Sequence, residues 1–358
     1  MKFKFYTIFI ISLLVLLFFG SCAPKTNQAS EKFIIYPPPP NKARIQYLTR
    51  FSNSKDIVKQ SVFSKSIVGE DKTLSILKPY GFFIRNGKMY VCDVNIAGLE
   101  IIDLEKKEFN YFIPKDQYQL KLPLNCFVDK NNQLYIVDIT LKKIVVFDGA
   151  NEYITSFGNK ENLKPTDVFV QSNKIWVVDS GNHRVNVYNK DTYKFEYYFP
   201  KSERGDKSYL FVPTNIFVSE DKVYVTDMAG SNIKIYTHEG EYLSSVGKYG
   251  DRIGDFVRPK GIAVDREANL YVVDASFENV QIFNQAGKLL LYFGGAYSGH
   301  GGMWLPIKIR IDYDNLQYFK KYVDPKYDLE YLIFVTNQFG PDKVSVYGKI
   351  KDKINSKN

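Results

Sequence analysis

Three cysteines, three histidines and two tryptophans in 358 residues leave little material for several kinds of protein. A disulfide scaffold needs more than Cys22, Cys92 and Cys126, and a chain this long can bury a core without one. Cys92 and Cys126 read as small core residues on adjacent repeat units, with a bridge between them left open. A metal centre built on imidazole has only His183, His238 and His300 to draw on. No Gly-x-Ser-x-Gly, no His-Glu-x-x-His and no phosphate-cradling glycine loop occurs in a strand-to-helix setting. The glycines between 247 and 254 lack the parallel β-α-β surroundings of a nucleotide fingerprint. No apolar run is long enough to span a bilayer as a helix; the longest, Ile8 to Phe19, is interrupted by Ser12.

What the chain has in quantity is β-rich runs punctuated by Asp, Asn and Gly. Residues 259 to 294 hold four of them, separated by the clusters expected at hairpin turns. A lone meander of this kind cannot bury both its faces, so it requires neighbours like itself. A strand ending in Asp recurs as Tyr90-Val-Cys-Asp93, Tyr135-Ile-Val-Asp138, Trp176-Val-Val-Asp179, Tyr224-Val-Thr-Asp227, Tyr271-Val-Val-Asp274 and Phe334-Val-Thr-Asn337. Each is preceded by a proline that opens a first strand: Pro79, Pro123, Pro165, Pro213, Pro259 and Pro306. The proline-to-Asp spacing is 14 or 15 residues in five units and 31 in the sixth. Third strands begin at Leu99, Ile144, Val185, Ile233, Val280 and Val344. Such a period, roughly 40 to 48 residues, is that of a propeller blade.

Pro259-x-Gly-Ile-Ala-Val-Asp265, Tyr271-Val-Val-Asp274 and Asp179-Ser-Gly-Asn-His-Arg-Val185 resemble the NHL repeat, over about residues 76 to 348. The resemblance implies an all-β, six-bladed β-propeller of four-stranded antiparallel blades. Only the third unit carries Asn-His-Arg whole; the other turns depart from it, which leaves the partner open.

Lys2 and Lys4 ahead of the twelve-residue apolar run read as a signal peptide over 1–21. Gly20-Ser21-Cys22 resembles a bacterial lipobox, with Phe19 in place of the usual Leu or Val. That resemblance implies lipidation at Cys22 and an exported, membrane-anchored lipoprotein of the cell envelope, on the periplasmic or the surface side. Residues 22–42 read as a flexible tether ending in a polyproline spacer, Pro37 to Pro40. Residues 43–51 resemble the fourth strands 241–246 and 288–293, whereas the sixth unit runs out after Val344-Ser-Val-Tyr347. The first strand is therefore expected to complete the blade formed by 306–348 and close the ring, removing two open edges. The propeller is expected over 43–350, as a monomer, with a polar tail over 351–358. Residues 53–75 are too short for another blade.

The formal charge is +9, or +7 without Lys2 and Lys4. A basic balance suits anionic lipid, polyanionic glycan or nucleic acid, and an exported chain is not expected to meet the last. In an up-and-down meander the turns after each second strand share a face with the links between blades, and links of this kind carry function. On that face the residues two past each proline stand nearest the axis: Gly81, Asn125, Asp167, Asn215, Gly261 and Lys308. With the links they supply the candidate binding residues Asn125, Asp167, Asn215, Lys308, Arg184, Arg204, Arg252, His300 and Trp304. Each also has a plainer reading as a turn cap or a solvated charge. The recurring Asp is expected to hydrogen-bond its following turn. The tyrosine-rich insertion at 313–330 reads as a docking element or as packed decoration on the opposite face.

Some six-bladed propellers related to the NHL family hydrolyse lactones or esters, or cleave amidated peptide precursors, at an axial metal. Here the candidate ligands are few, so no catalytic residue, metal or cofactor is assigned. The expectation is a binding or scaffold module for an envelope protein, peptide or glycan. A metal-dependent propeller hydrolase or lyase is the alternative.

Overall fold

The computed structural model describes residues 33–57, 73–158 and 162–353. The expected signal peptide, Cys22, the first part of the tether, most of 53–75 and the end of the tail lie outside the described residues.

The chain from Ile34 onward forms one compact unit of short antiparallel sheets. It opens with β1 (Ile35–Tyr36) and β2 (Ile45–Phe51) and then lays down six meanders. Blade 1 is β3 (Pro79–Arg85), β4 (Lys88–Asp93), β5 (Gly98–Asp103) and β6 (Glu108–Phe112). Blade 2 is β7 (Pro123–Val128), β8 (Leu134–Asp138), β9 (Lys143–Phe147) and β10 (Tyr153–Gly158). Blade 3 is β11 (Pro165–Gln171), β12 (Lys174–Asp179), β13 (Arg184–Asn189) and β14 (Phe195–Phe199). Blade 4 is β15 (Pro213–Val218), β16 (Val223–Asp227), β17 (Asn232–Tyr236) and β18 (Tyr242–Val246). Blade 5 is β19 (Pro259–Val264), β20 (Leu270–Asp274), β21 (Asn279–Phe283) and β22 (Leu289–Gly294). Blade 6 contributes β23 (Pro306–Asp312), β24 (Tyr327–Asn337) and β25 (Val344–Asp352).

Burial runs in a gradient along each blade. Second strands such as β8 and β20 are buried at every position, because adjoining blades cover both their faces. They therefore read as continuous Tyr-Val-Val runs rather than as alternating ones. Outermost strands such as β18 and β22 keep exposed positions, Leu243 and Leu290 among them. In blade 1 the first hairpin turns through Asn86 and Gly87, both at positive φ (49° and 73°), the pairing that a two-residue loop requires.

The recurring Asp does more than cap its own turn. Asp138 Oδ1 accepts from Thr140 N and Leu141 N at 3.1 and 2.9 Å, while Oδ2 accepts from Lys121 N and Leu122 N at 2.6 and 3.0 Å. Asp93 and Asp274 repeat the arrangement, and Asp227 joins the same two segments with Oδ1 shared between Val212 N and Gly230 N. One buried carboxylate thus clasps the link arriving ahead of the opening proline to the turn leaving the second strand, which puts both on one face.

The ring closes as expected: β2 pairs antiparallel with β25, from Ile45 opposite Lys349 to Phe51 opposite Val344. Two details differ from the expectation. Part of the tether is structured, since β1 pairs with the start of β2 and makes the last sheet five-stranded. Pro37 to Pro40 are then the reversal between two strands rather than an extended spacer, with Asn41 N bonded to Pro38 O and Arg44 N to Tyr36 O. Tyr36 holds this hairpin down against Phe293 and Tyr347, 6.1 and 6.4 Å between ring centres. Second, β25 continues through Lys351 and Asp352, because the lengthened β24 gives it a partner as far as Tyr327.

The insertion folds back on blade 6 through short 3-10 turns at Leu316–Tyr318 and Lys320–Tyr322. Phe319 is buried between Phe51 and Phe334, and Tyr313 packs on Tyr331. None of its five aromatic rings is exposed, as in the packed-decoration reading of this insertion. Cys92 and Cys126 are both buried and free.

Candidate functional site

Proline has no N–H to give the ladder, and in all six blades the pairing of first and second strands shifts register just past it. Such a bulge re-aims the side chains beside it. The side chains two past each proline consequently meet at the centre of the disc.

There, four of the candidates come together. Lys308 Nζ of blade 6 bonds Asp167 Oδ2 of blade 3 at 2.5 Å, and Asn215 Nδ2 of blade 4 reaches the same oxygen at 3.3 Å. Ile216 N adds a third bond to it at 3.0 Å, and Asp167 Oδ1 accepts from Val168 N. In a ring of six, blades 3 and 6 stand opposite, so the ion pair crosses the axis and plugs it. Asn125 lies alongside, donating to Thr166 O at 2.7 Å. All four residues are at most 5 % exposed. A buried pair with this many extra bonds resists the loss of either partner. The glycines of the ring make space for it: a Cβ on Gly81 would lie on Asn125 Oδ1, and one on Gly261 would meet Lys308 Cα at 2.7 Å.

The remaining candidates do not converge. Arg184 lies over the Tyr198 ring at 4.3 Å with Nε 3.8 Å from Asp179. Arg204 and Arg252 are exposed on separate links, Arg204 standing 5.9 Å from the Phe211 ring. His300 stacks on Tyr47, 5.9 Å between rings, with Nδ1 3.7 Å from Asp342. Trp304 covers Gly340 and is half-buried. The other histidines are engaged where they sit, His183 with Phe211 O at 2.7 Å and His238 with Ser219 O at 3.0 Å.

Lys260 was not among the candidates. One residue past Pro259, it is 5 % exposed, and its ammonium makes no hydrogen bond or ion pair among the described residues. Burial, and then Arg258, pushes its pKa down to about 8. Near it in the repeat register, Thr166 Oγ1, Thr214 Oγ1 and Asn125 Oδ1 are buried without a hydrogen-bond partner among the described residues. The signal was present in the column one past each proline, Tyr80, Leu124, Thr166, Thr214, Lys260 and Ile307, where a single charge stands among apolar and hydroxyl side chains.

Residues 205–355 match the family model DUF5128, described as a 6-bladed beta-propeller. Protein brain tumor of Drosophila melanogaster is 30% identical over 134 residues, which is 37% of this chain and 12% of that protein. The chain is a six-bladed β-propeller with NHL-like repeats. Among solved structures, the propeller is similar to a Bacteroides thetaiotaomicron protein of unknown function, with a TM-score of 0.57 at 13% identity over 85% of this chain and 76% of that one. Virginiamycin B lyase from Staphylococcus aureus gives 0.52 at 12% identity over 76% and 96%. At such identities the likeness is one of fold.

Proposed function

We propose that the propeller is a binding or scaffold module of the bacterial cell envelope, held to a membrane by a lipid on Cys22, with a protein, peptide or glycan as its ligand. The observation that carries the binding reading is the Asp167–Lys308 plug. It commits to internal bonds the axial oxygens on which a propeller hydrolase or lyase would gather its metal. The separate engagement of the three histidines supports the same reading, and no group of three His, Cys, Asp or Glu suited to a metal occurs among the described residues. Anchoring rests on the apolar run and Gly20-Ser21-Cys22.

The test is affinity capture from detergent-solubilised membranes, comparing the parent with a variant in which Arg184, Arg204 and Arg252 are neutralised, together with metabolic labelling by a fatty-acid analogue. Capture that depends on those arginines and label lost in Cys22→Ala support the reading; an unlabelled protein ends the anchoring part of it. A propeller enzyme is the second reading, favoured by Lys260, since a buried unpaired amine with a lowered pKa suits proton transfer. Turnover of esters or lactones that is lost in Lys260→Met would establish it.

A further inference from the structure

Four residues past each opening proline stands a second column: Phe83, Phe127, Phe169, Phe217, Ala263 and Arg310. The four phenylalanines pack in a chain, with successive ring centres 4.4, 4.9 and 5.3 Å apart. Arg310 completes the belt where Ala263 leaves room. Its guanidinium carbon lies 3.6 Å from the centre of the Phe83 ring and 5.5 Å from that of Phe127. Arg85 stands on the same ring at 5.7 Å and gives its Nε to Val128 O at 3.0 Å.

Arg310 is partly buried as a residue, and its guanidinium donates no hydrogen bond and joins no ion pair among the described residues. The carboxylates at this end of the first strands are occupied elsewhere. Asp129 pairs with Lys190 at 2.7 Å, Asp265 accepts from Tyr331 Oη at 3.1 Å, and Asp312 accepts from Asn315 N and Nδ2, both at 2.8 Å. Burial, and then the charge of Arg85, lowers the Arg310 pKa to about 10. A fork of donors held over an aromatic ring, without a hydrogen-bond partner among the described residues, suits a planar anion.

We propose that Arg310, with Arg85 beside it, forms a carboxylate-binding site at the axial mouth on the face away from the links, and that its ligand is an acidic peptide segment presenting a Glu or Asp side chain. Further in, the axis is closed by the Asp167–Lys308 pair, and the phenylalanine belt flanks the guanidinium. The cations of Lys260, Lys308, Arg85 and Arg310 along the first strands outnumber Asp167 and Asp312 and draw negative charge toward the axis. This inference rests on reading the propeller as a binding module.

The experiment is fluorescence anisotropy of the folded protein with a labelled, end-blocked peptide, Gly-Gly-Glu-Glu-Gly-Gly, against the same peptide carrying Gln. Arg310→Phe gives the sixth blade the residue four of its neighbours have, and Arg310→Lys keeps the charge while removing the fork. Binding of the Glu peptide that falls roughly tenfold or more in both variants and in the Gln peptide, and less in Arg85→Gln, supports the site. Unchanged affinity in Arg310→Phe, equal binding of the Gln peptide, equally effective competition by inorganic phosphate or galacturonate, or no binding by the parent would each overturn it. Melting curves establish that the variants are folded. Mass spectrometry of the recovered peptide separates the two readings: a converted peptide ends the binding-module reading while the site stands, whereas absent binding ends the site alone.

Discussion

Replacing Asp274 by Asn changes one atom of a blade and tests why every unit keeps an acid or its amide at this position. Asp274 Oδ1 accepts from Ser276 N at 2.8 Å and Phe277 N at 3.1 Å, and Oδ2 from Val257 N at 2.8 Å and Arg258 N at 3.1 Å. The residue is fully buried, so water cannot replace what is lost. An amide can satisfy one of those pairs; its NH2 then faces the other pair donor to donor. Two charge-assisted bonds disappear, each worth about 1.5–3 kcal/mol, so a loss of about 3–6 kcal/mol is expected. That is a large share of the ~5–15 kcal/mol that holds a domain folded. Blade 6 shows when the amide is right: Asn337 accepts from Trp304 N at 3.2 Å but donates to Asp342 O at 2.7 Å and Ser345 Oγ at 3.0 Å. Asn337→Asp should therefore also destabilise, by turning a carboxylate toward a carbonyl. Equilibrium urea unfolding followed by far-ultraviolet circular dichroism reads both, with exposed Asp251→Asn as the control. A loss below about 1 kcal/mol for Asp274→Asn would refute the clasp as a source of stability.

Other expectations follow from the same structure. Asp167→Asn should cost about 3–5 kcal/mol by leaving Lys308 buried without its counter-charge, whereas Asp167→Asn with Lys308→Met should recover most of it in the same unfolding assay. Glu100 is fully buried with neither carboxyl oxygen hydrogen-bonded among the described residues, and burial first, Asp93 second, pushes its pKa up to about 10. The folded state then holds a proton that the unfolded chain releases above its ordinary value of 4.5, so this contribution is fully present below that value and is lost as pH rises toward 10. Glu100→Gln should flatten the decline between pH 5 and 9 and stabilise the protein at pH 8 by on the order of 2 kcal/mol; melting curves across pH would show it, and an unchanged slope would refute it. Deleting residues 43–51 should lower soluble yield and melting temperature by opening the edge of β25, and a truncated protein as stable as the parent would contradict closure.

The fold was legible because proline, the Asp and the third-strand start hold register through six units, and a repeated error in reading them is hard to make. The closing strand could be read from its alternation, Ile45 and Tyr47 against Gln46. β1 could not, since its two residues run straight into four prolines and its hold depends on Tyr36 meeting Phe293 and Tyr347 far along the chain. The column two past each proline was correctly placed near the axis. That Lys308 would consume Asp167 was hidden, because the partners lie 141 residues apart and meet only when the ring closes. The columns of Lys260 and Arg310 were visible in register, but an alignment of landmarks says nothing about whether a cation has a partner. The clasp was half visible: the turn after each Asp is local, whereas the link ahead of the proline is some 15 to 17 residues upstream.

The central claim is a ring of blades shut by β2 against β25, in which Lys308 of blade 6 meets Asp167 of blade 3. In a Cys22→Ala, Cys92→Ala, Cys126→Ala background, Thr49→Cys with Val346→Cys places two thiols at paired positions, whereas Thr49→Cys with Val344→Cys places them out of register. Oxidation followed by intact-mass and non-reducing gel analysis should show a disulfide in the first variant and free thiols in the second. Free thiols in the first, or equal cross-linking in both, would contradict the ring.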